Sequence, residues 1–491
     1  MPFRKINLNV LGILLSVFLV GFIFVSNLDL AKHKSFWLDE AFEIQASCAE
    51  PIGTLMAVGA TGQCSPNPLY YVVQELSLNT LVNTFDASIL WKYRAVSLGS
   101  CFLLMALLVF CLNAQLGIFP AVMGLLALSN AGIFQVYSAE NRPYLLWVLF
   151  FAASFFWTSQ SKNRGRGFWA LGIGLLTGLS SVSGGGGPQA LAFLSGRWWV
   201  EKREWKKTIG LGVLVGAIAF FYGRFACHYT DAEQFDLLNT GNLRLVSKVT
   251  SLVFNGSTHP IAVVFDVLFL TGVIFPFFRK ATRALPITET TFNKVNSLHL
   301  HLCLQLAASV AIGALVALKH YYFIDRVFIF LIFLKAVGIA VGFFLLLQVI
   351  KRKITSLPSA NLVAYQCVGV CTLIGFMTPV MIAFGKERVN LVNAAHPAIV
   401  FTLPAGAECS DLDPEYEAVI EKKTLPEDVS NSIVGFSRLI KSCQLKSSGK
   451  GSGVGFVKIY ADHRLEFSPT RFPSDEGFAA ITQFGRSLSI R

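Results

Sequence analysis

Four short clusters in this chain combine residue types that can do chemistry. In Ser35-Phe36-Trp37-Leu38-Asp39-Glu40-Ala41-Phe42, two adjacent carboxylates follow two aromatic rings. Such a pair can take a proton with one acid while the other orients a cation, although Asp39 could equally cap a solvated helix start. Asn67-Pro68-Leu69-Tyr70-Tyr71 opens an amphipathic helix with proline in its first turn. It leads into Leu90-Trp91-Lys92-Tyr93-Arg94-Ala95-Val96-Ser97. Tyr137-Ser138-Ala139-Glu140-Asn141-Arg142-Pro143-Tyr144 then gathers an acid, a guanidinium and two phenols in eight residues. A planar guanidinium can grip two oxygens of a phosphate, so Arg142 is a candidate anion ligand.

The elements that must position these clusters are set by composition. Of 491 residues, 54% are hydrophobic and 14% charged, with 43 Phe and 40 Gly and a mean hydropathy of +0.57. Those values exclude a soluble enzyme and a disordered chain and point to many membrane-spanning helices. Apolar stretches near the roughly 20 residues a bilayer requires lie at 7–26, 95–113, 118–137, 144–160, 168–183, 208–226, 259–278, 298–318, 327–350 and 361–384, with a shorter one at 188–200. The first has no small-residue cleavage site after it and is read as a retained helix. The predicted fold is therefore an all-α polytopic domain of about eleven spans over 1–385, including an outer loop at 27–94. A small α+β domain follows over 386–491, where charged residues recur and Val454–Tyr460 alternates.

The net charge of +12 is bunched in short loops, and no nucleic-acid recognition motif accompanies it. With the N-terminus inside, seventeen cations fall on the cytoplasmic side, among them Arg4, Lys5, Lys162, Arg164, Arg166, Arg197, Lys206, Lys207 and Lys351. The positive-inside rule then puts the 27–94 loop and the tail on the outer face. Ser183-Gly184-Gly185-Gly186-Gly187-Pro188 must be either a turn at the surface or a break inside the membrane.

Of ten cysteines, Cys48, Cys64, Cys409 and Cys443 fall outside, and two even pairs in an oxidising space predict the disulfides Cys48–Cys64 and Cys409–Cys443. Cys367-x-x-x-Cys371 and His299-x-His301 lack the spacing or the third ligand of a metal site, so no metal site is assigned. Gly449-Lys450-Gly451-Ser452-Gly453 fails the Walker spacing, because Gly follows Lys450, and is read as a hairpin turn.

The four clusters, in this order and spacing, resemble the C-type (GT-C) superfamily of membrane glycosyltransferases, in the branch of protein O-mannosyltransferases and aminoarabinose transferases. The family pattern is Trp-x-Asp-Glu-Ala after the first span, His-Pro-Pro-Leu-Tyr-Tyr in the same loop, then Arg-x-x-Ser, then Tyr-Ser-x-Glu-x-Arg-Pro-Tyr at the third span's end. Matching residues are Trp37, Asp39, Glu40 and Ala41; Pro68, Leu69, Tyr70 and Tyr71; Arg94 and Ser97; and Tyr137, Ser138, Glu140, Arg142, Pro143 and Tyr144. Ser65-Pro66-Asn67 departs from the pattern where His-Pro is expected, and Asp325-Arg326 gives a weaker echo of an arginine at the outer end of a late span. The likeness covers about the first third of the chain and does not extend to the tail.

The resemblance implies inverting transfer of a sugar from a polyprenyl-phosphate carrier to a glycan, lipid or protein acceptor on the outer face. Asp39 would be the general base, with Glu40 beside it, and Arg142 and Arg326 would meet the phosphate. Tyr70, Arg94, Tyr137, Glu140 and Tyr144 would complete the substrate site. Glu40 and Glu140 could orient the arginines, bind sugar hydroxyls or act as structural partners. No cofactor or metal is implied, the lipid-linked sugar being a substrate. In a bacterium the enzyme would be a multi-pass protein of the inner (plasma) membrane with its site facing out. A rival class is a polytopic lipid or solute transporter or flippase. It would draw on Asp266 and Lys335, each near mid-span, unless the two form an ion pair between helices. A third class, a non-catalytic assembly partner, does not account for the retained Asp39-Glu40 pair.

Overall fold

A computed structural model describes residues 8–33, 68–82, 89–160, 165–182, 185–200, 205–226, 250, 253–254, 260–318, 328–355, 369, 372–373, 375–377, 381, 399–402, 456–459 and 464–468. The helices are α1 (Leu8–His33), α2 (Pro68–Val82), α3 (Ile89–Tyr93), α4 (Ala95–Leu116), α5 (Ile118–Ser129), α6 (Gly132–Ser138) and α7 (Tyr144–Ser159). They continue as α8 (Arg166–Val182), α9 (Gly186–Val200), α10 (Trp205–Ala226), α11 (Pro260–Ile274), α12 (Arg279–Arg283), α13 (Glu289–Leu318) and α14 (Phe330–Thr355). Each apolar stretch expected between 7 and 350 coincides with helix, whereas 361–384 lies largely outside the described residues.

Among the described residues, α1, α4, α13 and α14 are each long and apolar enough to cross a membrane alone, and α5 with α6 make a fifth if the bent pair is one span. The chain is thus an integral membrane protein, and the described residues hold four or five candidate crossings by length and composition, where about eleven are expected over the whole chain from hydropathy. The helix over 7–26 extends to His33, and α13 starts at Glu289, nine residues before the expected span.

Hydrogen bonds between helix ends show that the chain runs up and down. At one end Arg94 Nη1 donates to the Ala31 carbonyl and Ser97 Oγ to that of Arg142. At the other, Lys294 Nζ donates to the Ala114 carbonyl and Ser297 Oγ to that of Ser159. Helices α8 and α9, on either side of the Gly-rich segment, run antiparallel, because Arg197 late in α9 comes back to Phe168 and Trp169 early in α8, and Gly186–Pro188 already belong to α9. With 15 residues, α9 is only about 22 Å long, short of a ~30 Å hydrocarbon core.

The stretch expected to be one span over 118–137 is instead broken by 76° between α5 and α6. Ala131 is extended (φ −79°, ψ 111°), which interrupts the backbone ladder. Gln135 Nε2 then donates to the Ser129 carbonyl, satisfying an acceptor that the helix has released. Before α5, Gly117 adopts φ 96°, a backbone region that glycine enters without steric cost, and this allows α4 to end and α5 to turn away.

The centre of the bundle is α14, buried along almost its whole length. Phe151, Phe155 and Phe156 of α7 pack on Phe330 and Phe333 of α14 and on Phe193 of α9, with ring centroids 5.1–6.2 Å apart. Phe18, Phe22, Phe102, Phe110 and Phe220 face outward, as lipid-facing helices allow. Close by, α11 and α14 cross with backbones in near contact, since a Cβ on Gly272 or Gly342 would collide with a carbonyl of the other helix. One helix pair therefore holds both a close backbone crossing and the Lys335–Asp266 bond (2.6 Å). In the tail, β1 (Ile399–Thr402), β2 (Phe456–Ile459) and β3 (Arg464–Ser468) form an antiparallel sheet in the order β1-β3-β2, with Val400 opposite Glu466 and Lys458 opposite the same residue.

Candidate functional site

The segment between α6 and α7 is built by proline. Pro143 cannot donate a backbone bond and disfavours helical backbone at Arg142 before it, in the break between the helix that stops at Ser138 and the one that restarts at Tyr144. The turn closes locally, the Arg142 N–H donating to the Glu140 carbonyl at 2.9 Å. Two other segments fasten it. Tyr70 of α2 donates its phenol to Asn141 Oδ1 at 2.5 Å, and Ser97 of α4 donates to the Arg142 carbonyl at 3.0 Å.

Around the turn, Arg142 Nη2 donates to the Tyr144 hydroxyl at 3.1 Å, with the guanidinium carbon 5.3 Å from that ring's centre. The Tyr137 ring meets Tyr144 edge-on at 4.7 Å. On the other flank, Gln74, one turn beyond Tyr70, donates Nε2 to the Tyr93 carbonyl at 2.7 Å. Arg94 reaches across to the Ala31 carbonyl at 2.8 Å, in the last turn of α1. A cation there answers both an orphan carbonyl and the negative helix end. Tyr70, Tyr137, Glu140, Asn141, Arg94 and Arg142 are all buried. Burying an acid and guanidiniums at one end of the bundle is costly unless polar partners or a ligand compensate.

The structure thus joins Tyr70 and Ser97 to the Tyr137–Tyr144 segment, where Arg142 and the Tyr137 ring both meet Tyr144 and Glu140 is buried, whereas the Arg94 side chain bonds to the end of α1. The arrangement can fix a guanidinium and several phenols at one end of the bundle, the groups needed to hold a phosphate and hydroxyls. Asp39, Glu40 and Arg326 lie outside the described residues, as do Cys48, Cys64, Cys409 and Cys443. Sequence reasoning did not single out Asn141 or Gln74. Asn141 sits between two matched residues and Gln74 one turn beyond Tyr70, but the hydrogen-bond partner of each belongs to another segment.

No protein-family model matches the chain, and no curated protein does. Among solved structures, the chain is similar to ArnT from Cupriavidus metallidurans bound to undecaprenyl phosphate, at 13% identity and a TM-score of 0.43. It is similar also to the apo state of the same protein, at 14% identity and a TM-score of 0.42. In both, the match covers 77% of this chain and 73% of the other.

Proposed function

We propose that this protein is a GT-C-type membrane glycosyltransferase that moves a sugar from a polyprenyl phosphate to an acceptor on the outer face, with inversion. One observation carries this reading: the second, third and fourth motifs, far apart in sequence, meet in one buried cluster through the Tyr70–Asn141 and Ser97–Arg142 bonds. A transferase needs a base for the acceptor hydroxyl and cations for the departing phosphate. Arg142, steadied by Tyr144, serves as the phosphate ligand, joined by Arg326; Tyr70, Tyr137 and Glu140 complete the sugar side.

Asp39 is the base in this reading. It lies six residues beyond His33, the end of α1, so the chain keeps it within about 20 Å of that helix end even when fully extended. Arg94, bonded to α1 through Ala31, acts as a positioning residue for the segment that bears Asp39 and Glu40. The acceptor hydroxyl gives its proton to Asp39 as its oxygen attacks the anomeric carbon. The bond from that carbon to the phosphate oxygen breaks, and the polyprenyl phosphate leaves with the electron pair. Attack opposite the leaving group inverts the centre.

The rival transporter reading loses its main support, because Lys335 and Asp266 bond directly to each other between α11 and α14. The test of the proposal is transfer of a labelled sugar from a polyprenyl phosphate by the purified protein. Asp39→Asn keeps the side chain's shape and removes its basicity, so turnover should fall at least about a hundredfold. Near-normal turnover by that variant would move the base elsewhere. Equal transfer from a nucleotide sugar without lipid carrier would overturn the donor assignment.

A further inference from the structure

The end of the bundle opposite the Tyr70–Arg142 cluster carries a second concentration of cations and aromatic rings. It lies at the far end of α7, where Arg197 of α9 donates to the Gln160 carbonyl and is fully buried. Its guanidinium is 4.9 Å from the Phe168 ring and under 6 Å from the rings of Trp157 and Trp169. This cage ties α7, α8 and α9 together and so anchors the last turn of α9. The next two residues, Trp198 and Trp199, turn outward at 55% and 69% exposure, and Trp205 at the start of α10 is 47% exposed. Arg166, one turn before Trp169 on α8, and Lys206 and Lys207 in the first turn of α10 are exposed. Lys207 Nζ lies 5.3 Å from the Trp169 ring and Lys206 Nζ 5.7 Å from that of Trp205.

The geometry points to an anionic-phospholipid site at this end: Arg166, Lys206 and Lys207 meet headgroup phosphates while Trp198, Trp199 and Trp205 seat in the interfacial layer. Charge complementarity names the occupant. Helices α8, α9 and α10 contain no acidic residue, and the 201–204 connection is neutral, with Glu201 and Glu204 balancing Lys202 and Arg203. Three exposed indoles in this setting match the headgroup depth that tryptophan prefers, and a soluble anionic partner would leave them in water. Cation–π contact with an indole holds each lysine's ammonium against the protein at the same depth. A basic residue near an anionic surface contributes about 1 kcal/mol, which is about fivefold in affinity. This inference does not depend on the proposed transferase activity.

The test uses the full chain in vesicles of phosphatidylcholine mixed with phosphatidylglycerol, one or the other carrying brominated acyl chains that quench nearby tryptophan. The ratio of quenching gives the relative association of the two lipids at the exposed indoles. Wild-type protein should favour phosphatidylglycerol by at least about fivefold, and added salt should lower that preference. The Arg166→Gln/Lys206→Gln/Lys207→Gln variant should show no preference, while Lys206→Arg/Lys207→Arg should keep it. If the triple variant does not fold, Lys206→Gln/Lys207→Gln and the salt series decide. Equal quenching by both lipids in the wild type, or a preference that survives charge removal or salt, would overturn the assignment.

Discussion

Tyr70 and Ser97 join the candidate site across segments by single hydroxyl groups, so each can be removed without touching an ionised residue. Tyr70→Phe deprives Asn141 Oδ1 of its phenolic donor at 2.5 Å in a fully buried setting. The expected loss is about 1–2 kcal/mol of stability, together with a lower kcat from a less constrained Arg142. Thermal unfolding and steady-state kinetics of the variant measure both, and a melting curve and kcat equal to wild type would remove Tyr70 from the positioning role. At this scale the sequence is informative where side-chain type alone signals chemistry, as with Glu140, Arg142 and the tyrosines. Asn141 and Gln74 were not legible, since an amide gains its meaning from a distant partner, here Tyr70 and the Tyr93 carbonyl.

Hydropathy locates the helices well because lipid-facing and core-facing residues are both apolar, but the same uniformity conceals how the helices bend and cross. Only Asn130 and Gly132, a short turn signal inside an apolar run, mark the 76° break, and Gln135 reveals its role only through the Ser129 carbonyl it satisfies. Asp266 and Lys335 are visible as charges in apolar helices; only the structure shows them joined at 2.6 Å beside the Gly272–Gly342 crossing. That pairing makes a two-step prediction. Lys335→Met alone leaves a partly buried carboxylate without its partner and should destabilise by about 3 kcal/mol or more. Asp266→Leu with Lys335→Met removes both charges and should restore most of that loss, read as thermal stability in one detergent or lipid, with glycosyl transfer retained. A folded double variant lacking transfer would instead make the pair part of the functional pathway.

Two differently built ends give the whole molecule its polarity. One gathers the Tyr70–Arg142 cluster, and the other gathers Lys294 and Arg197 against the far ends of α4 and α7, with Lys206 and Lys207 near by. Bonds among helix ends fix which ends lie together, but which end faces the cytoplasm is set by the charge bias alone, because cations retained inside cost less than cations moved across the bilayer. That bias predicts that the Tyr70–Arg142 end and the 386–491 tail face out. A reporter cysteine placed in the tail of an otherwise cysteine-free chain should react with an impermeant maleimide on intact cells. One placed in the 201–204 connection should react only after permeabilisation. The two positions control for each other, since leaky membranes would label both at once. Labelling of 201–204 alone on intact cells would invert the molecule, and with it the outward-facing acceptor. A base on the inner side would then meet nucleotide sugars as readily as lipid-borne ones, so the orientation result also bears on the donor, by a measurement that needs no turnover.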